Sequence, residues 1–317
     1  MGKKSEFDVE KGPHRPSSSP SPRHHKHRYP SPIRMPPPTS HDQWFPWLMP
    51  MIFLVNIAAF IYTMYVNNCP SREGNNCVFS SLIGRFSFEP FKTNPMLGPS
   101  STTLQQLGGL ERKLVVDDKE SWRLVSCIWL HAGALHLATN MLSLLVVAIS
   151  LEQEFGFLKI GVLYVLSGIG GSLMSTLSTS GHASISVGAS GALFGLLGAM
   201  LSELISNWTI YANKCRALTI LVIVVVFNMA IGMALPRVDN SAHFGGLIAG
   251  FLLGFVLLVR PQYGYVSRRY IPAGYDLKRK KSKYKLYQYF LWIVALLLLL
   301  AGFAIGFAEV FNGQKII

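Results

Sequence analysis

Past residue 46 the apolar residues of this chain fall into long blocks. Seven stretches qualify as candidate membrane helices: 47–66, 135–151, 158–178, 190–205, 217–235, 242–259 and 288–308. A hydrocarbon slab of about 30 Å asks a helix for roughly 20 apolar residues, and these blocks approach that length. They cover most of the chain after residue 46, which excludes both a soluble globular enzyme and a protein held by a single anchor. Composition agrees. Half of the 317 residues are hydrophobic, only 14% are charged, and mean hydropathy is +0.33, whereas soluble domains carry roughly 25% charged residues. The predicted fold class is an all-α polytopic membrane protein.

The punctuation between the blocks divides the chain. Residues 1–43 form a basic tail rich in Pro, Ser and His, with too little apolar surface to offset its ordering entropy, so disorder is expected there. A helical core is expected over 44–260, a basic loop over 261–287, and a seventh helix with a short tail over 288–317. The formal net charge of +13 gathers in two of these segments. The tail has eight Lys/Arg against four acids, and Arg260 to Lys285 has nine against Asp276 alone, ending in KRKKSKYK. In a chain of spans such clusters mark cytoplasmic loops, so no nucleic-acid partner is expected. The N-terminus is then cytosolic and the C-terminus lumenal, and the sequon Asn207-Trp208-Thr209 lies in a cytosolic loop where it stays unmodified. The polar opening of the chain does not read as a signal peptide, and the first span is expected to be retained. The four cysteines show no CxxC pattern and are too few for a disulfide scaffold. Cys69 and Cys77, in the lumenal NCPSREGNNC loop, leave a bridge open in an oxidising compartment.

Polar side chains inside spans are costly and mark function. By parity, spans 2, 4 and 6 all enter the membrane from the lumenal side. Near those ends lie His136 and Asn140, Ser190, and His243. Ser190, between Gly188 and Gly191, opens a helix, where unpaired backbone N–H groups suit an attacking alkoxide and a developing oxyanion. An N-cap serine in a glycine-rich turn is the alternative. Gly246, Gly250 and Gly254 lie four apart, as do Gly191 and Gly195, and such stripes let two membrane helices approach closely. The same face carries His243 towards span 4. A serine within reach of a histidine is an activated nucleophile, although a histidine hydrogen-bonded for structure alone is the alternative. Asp239 sits in a loop and Glu203 far towards the cytosol, so a Ser–His dyad is expected and not a triad. His136 and Asn140 are spaced i,i+4 on one face, and both can donate to an oxyanion. His131, five residues before His136, need not share that role. The histidines lack HExxH spacing and an accompanying carboxylate, so no metal is expected, nor any other cofactor.

Taken in order, WR (Trp122-Arg123), HAGALHLATN (131–140), GASG (188–191) and AHFGGLIAG (242–250) resemble the rhomboid family of intramembrane serine proteases. The resemblance runs over about residues 44–308 and is greatest to plant members of the secretory-pathway type. It implies a six-helix rhomboid core plus one C-terminal transmembrane helix. It implies Ser190 as nucleophile, His243 as general base, and an oxyanion hole made by His136, Asn140 and the Ser190 backbone N–H. Trp122 and Arg123 match a first-loop motif that supports structure. Of the family's GxxxExxxG pattern, Glu152 and Gly156 match, while Ala148 stands in place of the first glycine.

The function implied is a serine endopeptidase that cuts single-pass transmembrane substrates near their lumenal ends, within the bilayer. Helix-breaking residues in the substrate lower the cost of unwinding it there. The base must be neutral, so activity is expected to fall as His243 protonates. A non-proteolytic client-binding or trafficking factor of rhomboid fold is the alternative. The Golgi or another secretory-pathway membrane is the expected location.

Overall fold

The computed structural model describes residues 44–178, 185–209, 211, 213–234, 238–261 and 284–312. The disorder expected of the tail and the charge run expected of the basic loop fall outside those residues. Among the described residues there is no strand, and seven long helices follow the apolar blocks. These are α1 (Leu48–Asn67), α2 (Ala134–Phe155), α3 (Phe157–Leu177), α4 (Ser190–Ser206), α5 (Lys214–Ala234), α6 (Asn240–Leu257) and α7 (Leu286–Asn312). Five of them, α1, α2, α3, α6 and α7, are long and apolar enough to cross a membrane. The protein is a multi-pass integral membrane protein.

α4 is the centre of the bundle. It packs against both α3 and α6, and most of its residues are buried. Its 17 residues rise about 25 Å at 1.5 Å each, which puts it at the short end of helices that span a hydrocarbon slab of roughly 30 Å. The close approach rests on the glycine stripes. A β-carbon at Gly246 would collide with the Gly191 carbonyl, one at Gly250 with the Gly195 backbone, and one at Gly254 with Ser202 and Ala199. Backbone meets backbone at Gly246 and Gly250, and the Ser202 side chain fills the seam beside Gly254.

α2 contains one π turn, Leu144–Ala148, between two α segments. Ala148 ends that turn and is fully buried, so the departure from the family's glycine is absorbed without opening the packing. Beyond it, the buried Glu152 carboxylate accepts from the backbone N–H groups of Trp47, Leu48 and Met49 at 3.0, 2.8 and 2.8 Å. Those are unpaired donors at the start of α1, where the helix dipole also favours a negative charge.

The segment between α1 and α2 is built from short helical turns. Cys69 and Cys77 are joined by a disulfide across a Cα separation of 6.1 Å, which closes a small lobe next to the end of α1. Asn67, Arg72, Glu89, Ser100 and Thr103 tie that lobe to the helix through a partly buried network, with Arg72 and Glu89 paired at 2.5 Å. At the opposite end of the bundle, Arg260 meets Glu203 and Glu154 at 3.0 and 2.5 Å. The Gln288 and Tyr287 side chains of α7 both donate to the Ser206 carbonyl. Asn207, the sequon asparagine, is fully buried there and donates to Glu203 and Leu258 at 2.9 and 3.1 Å.

Candidate active site

The Ser190 hydroxyl and His243 Nε2 lie 2.8 Å apart. Ser190 is the first residue of α4 and His243 the fourth of α6, so the glycine seam that draws the two helices together also sets this distance. The chain reaches Ser190 through Gly188, whose φ of +133° is a conformation that side-chain-bearing residues rarely adopt. His243 is 7% exposed, while Ser190 is half-buried.

His136 and Asn140 stand on the other side of that turn. A β-carbon at Gly188 would lie 2.7 Å from His136 Cε1 and 3.5 Å from Asn140 Nδ2. Only glycine lets the backbone ahead of Ser190 come so near both side chains. Asn140 is 6% exposed, and among the described residues neither its Nδ2 nor His136 Nδ1 has a partner. A buried donor without a partner is costly, and the Asn140 amide and the His136 Cε1–Nε2 edge, both beside the turn that leads into Ser190, suit an oxygen that gains charge during a reaction.

The acidic residues lie elsewhere. Asp239 caps α6 by accepting from the Ala242 N–H at 3.0 Å, and its other oxygen accepts from Ser175. His243 Nδ1 has no partner among the described residues. His131 precedes α2 and is fully buried, with its ring edge-on to His136 at 5.4 Å between centroids. Among the described residues no group of three His, Cys, Asp or Glu side chains could hold a metal ion. Cys127 is also unsuited to be a nucleophile. Burial pushes its thiol up to about 12, and the thiol rests 3.2 Å from the Ser172 hydroxyl.

One feature escaped sequence reading, and another, the structural support expected of the first-loop motif, gains its detail only here. Phe194, one turn below Ser190, stacks on His243 with ring centroids 4.4 Å apart and planes 23° apart, so it holds the imidazole in plane. An aromatic in an apolar span gives no sign of that task. The second is a brace from the first loop. Arg123 donates to the carbonyls of Gln105 and Gly109 at 2.6 and 2.9 Å and pairs with Glu120 at 2.5 Å. Leu110 and Ser186 then exchange two backbone hydrogen bonds of 2.9 Å, and the Gly188 N–H donates to the Cys127 carbonyl at 2.9 Å. The first-loop Arg thus supports the strand-like segment that delivers Ser190.

The family model for the rhomboid domain matches residues 118–260. RHOMBOID-like protein 5 of Arabidopsis thaliana is 54% identical over 100% of this chain and 97% of its own length. RHOMBOID-like protein 1 of the same plant is 56% identical, over 86% of this chain and 69% of its own length. A third relative, named Inactive RHOMBOID-like protein 8, also from Arabidopsis thaliana, is 48% identical over 68% of this chain and 60% of its own length. With motifs, helix order and near full-length identity in agreement, this chain belongs to the rhomboid family.

Proposed function

We propose that the protein is an intramembrane serine endopeptidase that cleaves membrane-embedded substrates through a Ser190–His243 dyad. The observation that carries this is the 2.8 Å contact between the Ser190 hydroxyl and His243 Nε2. His243 takes the serine proton as Ser190 attacks the scissile carbonyl, and Phe194 keeps the imidazole aligned. The tetrahedral oxyanion is stabilised by Asn140, His136 and the backbone N–H of Ser190. The imidazolium then protonates the leaving amine, and water activated by His243 releases the acyl-enzyme.

The substrates proposed are single-pass transmembrane segments, cut near the lumenal or extracellular end of the span, where local unwinding exposes the amide. The basic tail and the basic loop support a cytosolic N-terminus and a lumenal C-terminus, and a Golgi or other secretory-pathway membrane fits that orientation. A second reading, a non-proteolytic client-binding factor, draws support from the relative named inactive. The intact serine and histidine in contact favour the enzyme.

The deciding experiment reconstitutes wild-type and Ser190→Ala protein with a type I membrane substrate carrying a Gly-rich span. Cleavage by wild type, lost in Ser190→Ala while substrate binding is kept, is the expected result. Equal binding with no cleavage by either protein would give the function to the client-binding reading.

A further inference from the structure

Beside α1, the lobe closed by Cys69 and Cys77 forms two adjoining depressions of opposite character. One is a shallow, open groove of ≈ 480 Å³ with apolar walls: Phe60, Ile61 and Met64 of α1 and Ile83, Phe86 and Phe88 of the lobe. The other is a basin of ≈ 620 Å³ whose walls include Asn68, Ser80, Ser81, Gly84 and Arg85. Residues 83 to 86 contribute to both, Gly84 and Arg85 to the basin and Ile83 and Phe86 to the groove. Phe60 to Met64 lie three to seven residues inside the end of α1 at Asn67, about 5–10 Å down the helix. With the end of α1 placed at the membrane surface, the groove would lie at acyl-chain depth and the basin at the headgroups.

Arg85 marks the junction. Its Nε donates to the Tyr65 carbonyl at 3.0 Å and its guanidinium lies over the Tyr65 ring at 3.9 Å, while the side chain stays exposed. It enters no ion pair with an acid among the described residues; the neighbouring acid Glu89 is engaged by Arg72. A fixed, exposed cation between a hydroxyl-bearing basin and an apolar slot complements a molecule with an anionic phosphodiester head and a hydrocarbon tail. Leu82 and Phe79 project from the same lobe at 79% and 54% exposure, a surface that suits the bilayer interface and not water.

We propose that this lobe binds a glycerophospholipid of the surrounding leaflet, with its phosphate on Arg85 beside Ser80 and Ser81 and one acyl chain in the groove between α1 and residues 83–88. The site is independent of Ser190 and His243 and does not depend on catalytic activity.

The test places the full chain in nanodiscs containing phosphatidylcholine with a diazirine in one acyl chain, then maps photo-adducts by peptide mass. Adducts should concentrate on residues 60–64 and 83–88, several-fold above the lipid-facing residues Leu297, Leu298 and Leu300 of α7. Arg85→Ala and the groove-filling Ile61→Trp should each lower that excess at least threefold without moving the melting temperature. A photo-reactive diacylglycerol, which lacks the phosphate, should show the same deficit on the wild-type protein. Adducts spread evenly over α1 and α7, or an excess untouched by both folded variants, would overturn the proposal. Displacement of the phospholipid by an added transmembrane peptide that itself crosslinks to the groove would also overturn it, in favour of a protein occupant.

Discussion

At the scale of single residues, the candidate site is a set of donors and acceptors with unequal claims. Ser190 and His243 are already in contact at 2.8 Å, whereas Asn140 Nδ2 and His136 Nδ1 have no partner among the described residues. A donor that waits for charge contributes little to binding the ground state and much to the transition state. Asn140→Ala should therefore lower kcat by roughly 10²–10³ with little change in KM. The fall of activity on acidification, set by protonation of His243, should persist unchanged in that variant. Steady-state kinetics on a reconstituted substrate across pH checks both, and an Asn140→Ala enzyme of near wild-type kcat would move the oxyanion hole elsewhere. Ser190 and His243 were legible because membrane parity and glycine spacing bring them to one depth on facing helices. Phe194 was not, since a phenylalanine in an apolar span has the same local signature whether it faces lipid or an imidazole.

At the scale of elements, the seam between α4 and α6 decides whether those residues meet. Gly250 has the Gly195 backbone where a side chain would go, whereas Gly302 on α7 has nothing within 4 Å. Gly250→Leu must force α4 and α6 apart, at a cost of about 3 kcal/mol or more, and should lose both thermal stability and cleavage. Gly302→Leu should be close to neutral. Thermal unfolding in detergent micelles, run with a cleavage assay, measures the contrast, and equal behaviour of the two variants would deny the seam its role. The fourfold spacing of the glycines was readable in the chain. The π turn of α2 was not, because its residues LLVVA are ordinary helix material and the i→i+5 pattern arises from the fit to neighbouring helices.

At the scale of the whole molecule, buried polar groups lock elements that the apolar packing alone would let slide. Glu152 joins α2 to the start of α1 through three backbone donors. Glu152→Ala leaves those donors buried without their carboxylate and should cost roughly 3 kcal/mol, seen as a lower melting temperature while the remaining folded protein keeps its kcat. A fall in kcat without loss of stability would instead tie Glu152 to the chemistry. At the same end, Asn207 and Gln288 fasten α7 to α4. The sequon is therefore occupied by structure, a reason for it to stay unmodified that is separate from topology.

Read alone, the sequence determined the number and approximate limits of the helices, because the free energy of placing a peptide segment in hydrocarbon depends mainly on its own composition. It also determined which residues were candidates for chemistry, because polar groups in spans are too costly to be incidental. Contacts between segments distant in the chain were decided only by tertiary structure: Phe194 against His243, Arg123 bracing the segment before Ser190, and the Cys69–Cys77 lobe against α1. Each depends on how helices rotate about their axes and how loops close. Those are set by the packing of all the elements at once, and no local pattern of residues carries them.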